Sequence, residues 1–313
     1  DISVVICTYN RGLSLEVTLN SIKLQILPEA VNWEVLIVDN NSSDITKDIA
    51  IECVKANPAR FKYIHEPNVG VSFARNAGIR SSSGKYVCFF DDDTILQSEC
   101  LNAIYKTFLK YNADCVGGKI IPKWPQSQPK WFIQRLYVTL AYTDRGNQEL
   151  IINDPKKSFY GANISFSKKV FEKIGFFNTS LGRMGSKLYI SEEADMFERL
   201  INAGGKAVYQ PQAVVLHVVG EKRSKKSYFR KLYFDVGEHN ALLDGAYNGK
   251  NIMGVPLFMF YNLFRSFLRF MKSLILRSDE IFFRELLLWN FLGYIKGRIY
   301  FYLKSGKVIW GRE

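Results

Sequence analysis

Paired or clustered cysteines are missing from this chain. Its five, Cys7, Cys53, Cys88, Cys100 and Cys115, show no metal-ligand spacing. That excludes a thiolate metal site and a disulfide scaffold, and reads as reduced core residues in a cytoplasmic compartment. No signal peptide is visible; the chain opens at Asp1, without Met and directly on a strand, and reads as trimmed. A bilayer-spanning run is lacking too. The charge-free stretch 251–264 has 14 residues, short of the ~18–20 that cross a membrane. Acidic residues are in the minority, 30 against 42 Lys and Arg, for a net charge of +12. A hydrophobic fraction of 47% excludes a disordered chain, and 313 residues suffice for one large α/β domain with an appendage.

The positive excess is uneven. Residues 221–313 hold 17 Lys and Arg against 8 Asp and Glu, a net of +9. That asymmetry points to an anionic partner for the last third of the chain, a membrane surface or nucleic acid.

What the chain does have is centred on 85–94, KYVCFFDDDT. Five mostly apolar residues run into three carboxylates, Asp91, Asp92 and Asp93. A short apolar run rich in Val and Phe reads as a strand buried on both faces. Three acids inside it would cost about several kcal/mol in repulsion and desolvation. They are therefore expected at the strand's carboxyl end, where an open α/β sheet binds its ligands. Hard oxygen donors there suit Mg2+ or Mn2+. The alternative is a solvated acidic turn.

Around this stretch, strands and helices alternate every 20–30 residues. Strands are expected at 3–8, 33–38, 61–65, 115–121 and 213–219, with helices following Gly12, Asp44, Gly70 and the DDD strand. Alternation predicts βαβ units and a mostly parallel sheet flanked by helices. Right-handed crossovers would bring Asn10, Asp39 and Asp91–Asp93 to one edge. A Pro/Trp loop at 122–131 is expected over the site. Ser191 is the expected N-cap of a helix opening SEEADMFERL.

Each candidate has a bland reading beside the chemical one. Asp39 is an acid at a strand end. Arg75 is a surface charge, or a partner for diphosphate. His217 is a satisfied core imidazole, or a neutral metal ligand beside Asp93. Glu192, Glu193 and Asp195 complement a helix dipole, worth under ~1 kcal/mol each, or supply a general base. In the C-terminal third, Arg265, Arg269 and Lys272 form a basic stripe on an apolar helix, and 282–302 looks similar. Such helices lie on membranes rather than cross them; packing on the α/β core is the other reading.

Taken in order over about residues 2–220, VVICTYNR, IVDNNSSD, NVGVSFARNAGI, FFDDDT, YGANISFSKKVF, SEEADMFERL and AVVLH resemble glycosyltransferase family 2. The resemblance implies the GT-A fold, a Rossmann-like mixed sheet, for a catalytic domain at 1–220, with a helical extension at 221–313. It implies transfer of one sugar, with inversion, from a nucleotide-diphosphate sugar, expected to be a UDP-sugar. The acceptor is expected to be a glycan or lipid-linked oligosaccharide in cell-surface polysaccharide or glycoconjugate synthesis. Thr8, Tyr9, Asn10 and Arg11 would wall the base pocket and Asp39 would accept from the base. Asp91 would reach the ribose, with Asp92 beside it, and Arg75 the diphosphate. Asp93 and His217 would hold Mn2+ or Mg2+. Gly161, Ala162, Asn163, Glu192 and Trp131 would lie on the acceptor side, with Glu193 as base.

Two departures matter. The acidic pair reads Glu-Glu rather than Glu-Asp, so the base is one methylene longer. The QxxRW motif of processive synthases is absent, with ERLIN in its place, which argues for single-sugar transfer. The expected location is cytoplasmic, peripheral on the inner face of the cell membrane through an anionic surface, without nucleic acid; oligomer contact through the C-terminal helices stays open. Rival readings are an acid-nucleophile phosphatase, which would want DxDxT on the first strand, a nucleotidyltransferase, which would want a Gly-rich loop after it, and a non-catalytic membrane-surface or nucleotide-binding module.

Overall fold

The computed structural model describes residues 1–181, 192–244, 247 and 249–304. They fall into two compact units. The first holds Asp1–Pro125 with the described residues of Val138–Ser186 and Ile190–Val219. The second holds Gln126–Tyr137 and the described residues of Gly220–Glu313.

The first unit opens as the alternation predicts, with β1 (Ile2–Thr8), α1 (Gly12–Lys23), β2 (Trp33–Asp39), α2 (Thr46–Ala56), β3 (Phe61–His65), α3 (Val71–Ser81) and β4 (Tyr86–Asp91). These strands are parallel in the order β3-β2-β1-β4. Their side chains alternate between two cores. Val4, Ile6, Val35 and Ile37 pack with Leu15, Leu19 and Ile22 of α1, while Val5, Leu36 and Val38 pack with Ala74, Ala77 and Ile79 of α3. A strand covered on both sides favours apolar residues along its middle, which is why VVIC and VLIV are unbroken.

The chain continues through β5 (Thr94–Leu96), α4 (Cys100–Tyr111), β6 (Cys115–Lys123), β7 (Leu150–Ile152), β8 (Ile164–Ser167), α5 (Lys169–Ile174), α6 (Glu192–Asn202) and β9 (Ala207–Val218). The sheet path runs β3-β2-β1-β4-β8-β6-β9-β5, with β7 also on β9. β8, β5 and β7 are antiparallel to their neighbours, so the sheet is mixed.

Only Asp92 and Asp93 separate β4 from β5, yet β5 lies four strands further along the path. A flat sheet would set them about 19 Å apart. Three Cα–Cα links reach at most about 11 Å. The path must therefore curl back on itself, and the acids lie where it closes. An irregularity between Gly118 and Lys119 of β6 lets β9 make the turn. Asn163 pins it: its wholly buried amide donates to the carbonyls of Ala213 at 2.8 Å and Lys119 at 3.3 Å.

Some expectations shift. β9 starts six residues earlier than the apolar run at 213 suggested, because Ala207–Tyr209 also pair with β6 and β7. Region 132–160, without clear pattern in sequence, carries β7 and a 3₁₀ segment, Gln134–Leu140. The Ser191 cap and most of the Gly-rich loop at 181–189 lie outside the described residues.

The second unit contains α7 (Lys226–Leu243), the short hairpin β10 (Asn251–Ile252) and β11 (Val255–Pro256), α8 (Leu257–Ile275) and α9 (Ile281–Lys304). α9, expected to lie on a membrane like α8, is instead the centre of this unit. Its backbone meets α7 so closely that a Cβ on Gly293 would stand 2.0 Å from the Phe234 carbonyl, and one on Gly237 of α7 2.0 Å from that of Asn290. Among the described residues no helix is long and apolar enough to cross a membrane.

Asn163→Ala removes both amide hydrogen bonds at the β6–β9 irregularity. Its unfolding free energy is expected to fall by about 1–3 kcal/mol, seen in urea as a lower midpoint at unchanged slope.

Candidate active site

The acids emerge where the sheet closes. Asp91 ends β4 opposite Cys7 of β1, and Thr8 ends β1 opposite Asp39 of β2. The strand order changes direction between β1 and β4, the place where doubly wound sheets open a crevice. Asp92 and Asp93 are buried there, and Arg11, just before α1, bridges them, with Nη1 2.8 Å from Asp92 Oδ1 and 2.7 Å from Asp93 Oδ2. Asp92 and burial chiefly set Arg11, and the two acids raise its pKa further above the ordinary value. Burial pushes the Asp92 carboxyl up against the pull of Arg11. It pushes the Cys7 thiol up to about 12, so Cys7 is an inert wall of the crevice.

His217, near the end of β9, pairs with Thr94 of β5 and so arrives beside Asp93. Its Nε2 is 3.0 Å from Asp93 Oδ1. Its Nδ1 lies 2.8 Å from the Leu140 carbonyl, which can only accept, so Nδ1 carries a proton. With Nδ1 so held, Nε2 is the ring atom turned toward Asp93, and a neutral imidazole would offer its lone pair there to a bound cation. Oxygens of Asp91 and Asp93 and a nitrogen of His217 all fall within 4.8 Å of one another. Five acids of this crevice, Asp91, Asp92, Asp93, Glu192 and Glu193, face two arginines, Arg11 and Arg75. The donor set, two carboxylates and an imidazole among a majority of acids, fits a divalent ion of the Mn2+ or Mg2+ type.

Arg75 is buried at the middle of α3. Nη1 meets Glu192 Oε1 at 2.9 Å, Nη2 meets Glu193 Oε1 at 2.8 Å, and Asp91 Oδ1 lies 4.0 Å away. Both acids come from the first turn of α6, as an N-terminal dipole favours. The backbone N–H of Gly161 also donates to Glu193 Oε1, at 3.1 Å. A Cβ at Gly161 would stand 2.0 Å from Arg75 Nη2, so this approach requires glycine. Burial acts to raise the Glu193 carboxyl, but Arg75 and these hydrogen bonds hold it below the ordinary value. Arg75, expected beside diphosphate, thus spends its guanidinium on the acidic helix.

On the nucleotide side, Asp39 is buried and accepts from the Ser42 N–H and the Tyr63 hydroxyl, both at 2.9 Å. Burial and Asp39 together push Tyr63 up to about 12. Asn10 takes a positive φ of 53°, and its carboxamide accepts from the Ser43 N–H. Tyr9 is exposed beside buried Thr8. Asn40, passed over in sequence, knits the wall: it donates to the carbonyls of Glu66 and Asn68 and accepts from the Gly70 N–H. The cluster of N-cap residues around it masked that role.

The structure therefore brings together Thr8, Arg11, Asp91, Asp92, Asp93 and His217, and joins Arg75, Gly161, Glu192 and Glu193. Ala162 and Asn163, read as acceptor contacts, are wholly buried and support the Gly161 turn. Trp131 belongs to the second unit, where its ring packs edge-on against Phe229 and Phe282. The partners that sequence reasoning missed are Tyr63, Asn40 and the Leu140 carbonyl.

The description of Glycosyl transferase family 2 matches residues 3–175. A glucosyl-dolichyl phosphate glucuronosyltransferase of Haloferax volcanii is 27% identical over 260 residues, 79% of this chain and 78% of that protein. The succinoglycan biosynthesis protein ExoM of Rhizobium meliloti is 26% identical over 245 residues, 77% of this chain and 75% of its own. A mannosyltransferase from Pyrobaculum calidifontis, solved with GDP-Man and Mn2+, superposes with a TM-score of 0.57 at 18% identity, covering 98% of this chain and 76% of that one. GalNAc-T7 with UDP, GalNAc and Mn2+ gives a TM-score of 0.58 at 15% identity, covering 79% and 52%. These likenesses show that the fold is GT-A.

Arg75→Gln removes the cation that holds Glu193 low, so the Glu193 carboxyl should rise. Followed by NMR against pH, that carboxyl is expected to titrate at higher pH than in the wild type. A carboxylate held low stabilises the fold above its unfolded pKa and stops doing so as pH falls through its folded one; in Arg75→Gln that acid-sensitive contribution disappears. Buried Glu192 and half-buried Glu193 lose their partner, and urea unfolding at neutral pH should show a loss of about 3–5 kcal/mol.

Proposed function

The chain belongs to glycosyl transferase family 2, and from that premise we propose that it moves a single sugar, with inversion, from a nucleotide-diphosphate donor to a hydroxyl acceptor. One observation carries this reading: oxygens of Asp91 and Asp93 and a nitrogen of His217 gather within 4.8 Å of one another, and the Arg75 guanidinium meets both Asp91, at 4.0 Å, and Glu193, at 2.8 Å. A leaving-group pole and a proton acceptor are thus held by one buried cation. We propose a UDP-sugar as donor.

In the reaction the acceptor oxygen bonds to the anomeric carbon as the bond to the diphosphate oxygen breaks. The acceptor's proton goes to Glu193, and the electron pair leaves with the nucleoside diphosphate. Glu193 is ionised at neutral pH and stays partly open, with 18% of its side chain exposed, so it can take that proton. Arg75 and Gly161 fix its Oε1. Asp91, Asp93 and His217 would hold Mn2+ or Mg2+, which when bound neutralises the charge developing on the departing diphosphate. The Asp39–Tyr63 wall receives the base, and Arg11 keeps Asp92 and Asp93 from repelling each other before the donor arrives.

We place the acceptor among glycans and lipid-linked oligosaccharides, at the cytoplasmic face of a membrane. The relatives named for a dolichyl-phosphate substrate and for succinoglycan biosynthesis support this class.

Two measurements test the chemistry. Asp93→Ala, or EDTA on the wild type, should abolish nucleotide-sugar turnover and weaken nucleotide binding by calorimetry; full activity in either would remove the metal from the mechanism. Glu193→Gln should lower kcat by roughly 10²–10⁴ with donor affinity nearly unchanged. An active Glu193→Gln beside a dead Glu192→Gln would move the base by one residue.

A further inference from the structure

α8 is built the wrong way round for a helix of a water-soluble unit. Its buried positions are Ser266 and Ser273, two turns apart. Its large apolar residues face outward: Phe260, Phe264, Phe267, Leu268, Met271 and Ile275 are all exposed, Phe264 at 58% and Ile275 at 77%. A surface helix ordinarily shows the opposite pattern. The exposed face is continuous. At about 100° per residue these six side chains cover an arc of roughly 100°, far beyond single apolar residues scattered on a surface.

The basic residues are ordered with respect to this face. Arg265, Arg269 and Lys272 stand one turn apart in a row along one border of the apolar arc, and α8 carries no acid to balance them. Arg265 lies along Tyr261, its guanidinium carbon 5.5 Å from the ring centre, with its stem against the apolar side. The hairpin leading into α8 continues the surface. Its turn, Met253-Gly254, takes positive φ at both residues and leaves Ile252 and Met253 exposed at its tip. At the other end Leu276 is exposed as well.

We propose that the outer face of α8, with the Ile252–Met253 tip, is the surface on which this protein inserts into an anionic membrane leaflet, the helix lying in the plane of the headgroups. Charge complementarity decides for lipid over a second protein surface. A basic row bordering a wide aromatic and aliphatic face lets the apolar side enter the acyl boundary while the cations stay among acidic headgroups. Ser266 and Ser273 are small enough to seat the helix closely on its own unit, with Leu263 and Phe270 half-buried, while the six apolar side chains of the arc remain outside. The proposal deepens the membrane location given above by naming the element that makes the contact. It concerns binding and not transfer, so the two can fail separately.

The test is vesicle flotation of the full chain with phosphatidylcholine liposomes with and without phosphatidylglycerol, at low and high salt. Wild type should float with the anionic vesicles. Arg265→Glu with Arg269→Glu and Lys272→Glu should weaken that binding by roughly 10²-fold, and salt should weaken the wild type in the same direction. Phe264→Glu with Leu268→Glu should abolish it at either salt, while donor turnover with a soluble acceptor stays at the wild-type level. That retained turnover also shows that the variants fold. Equal binding to neutral and anionic vesicles, or no flotation by wild type, overturns the proposal. So does a wild-type dimer in sedimentation that Phe264→Glu with Leu268→Glu dissociates without any vesicle effect, because the face would then be a subunit interface.

Discussion

A guanidinium sealed from water cannot remain charged without carboxylates at hydrogen-bonding distance, and Arg75 meets that requirement with Glu192 and Glu193. The constraint reaches well beyond the pair. The two acids lie more than a hundred residues downstream of Arg75, so satisfying the cation fastens α6 to α3 across the whole first unit. It fixes the Gly161 turn, where no side chain could stand. It also sets Asp91 4.0 Å from the same charge. The acids at the β4 end and the acid at the α6 start are thereby coupled electrostatically: a change of charge on one is felt by the other through a shared counter-ion.

Among the described residues, the five acids Asp91, Asp92, Asp93, Glu192 and Glu193 outnumber Arg11 and Arg75 in this cluster. Arg11 bridges Asp92 and Asp93, and its side chain is about one-third exposed. Arg11 and Arg75 thus divide the cluster, Arg11 holding Asp92 and Asp93 and Arg75 holding Glu192 and Glu193. This electrostatic division of labour explains why three consecutive aspartates are tolerated at the end of a fully buried strand.

The parallel half of the fold was legible because each strand there is covered on both faces, which leaves an unbroken apolar run with a polar residue at its end. Asp39 and Asp91 could be placed from that pattern alone. Roles set by distant contacts were not legible. Nothing local in TYNRG says that Arg11 will meet acids some eighty residues away, and nothing in the weakly patterned region up to residue 140 says that its carbonyl will orient His217. α8 and α9 show the same limit from the other side. Both are aromatic and basic, and composition could not separate an outward-facing helix from a central one. The discriminating signal was small residues: Gly293 and Gly297 of α9, four apart, allow backbone contact with α7, whereas the fully buried positions of α8 are two serines.

The metal-side geometry depends finally on a defect in the sheet. Below the irregularity Gly118 of β6 faces Gln210 of β9; above it Lys119 faces Val214. Three residues, 211–213, are therefore in excess on β9. Were the two strands in regular register, Val214 would face Pro122 where His217 now does. The imidazole would lie about 10 Å further along, and a shift by an odd number would also turn it to the opposite face of the sheet. Asn163 holds this excess in place from the turn that begins with Gly161, the same turn whose N–H contacts Glu193. One short 3₁₀ turn thus sets the position of His217 through its last residue and that of Glu193 through its first, which is a physical reason for the GAN sequence to be buried rather than exposed to an acceptor.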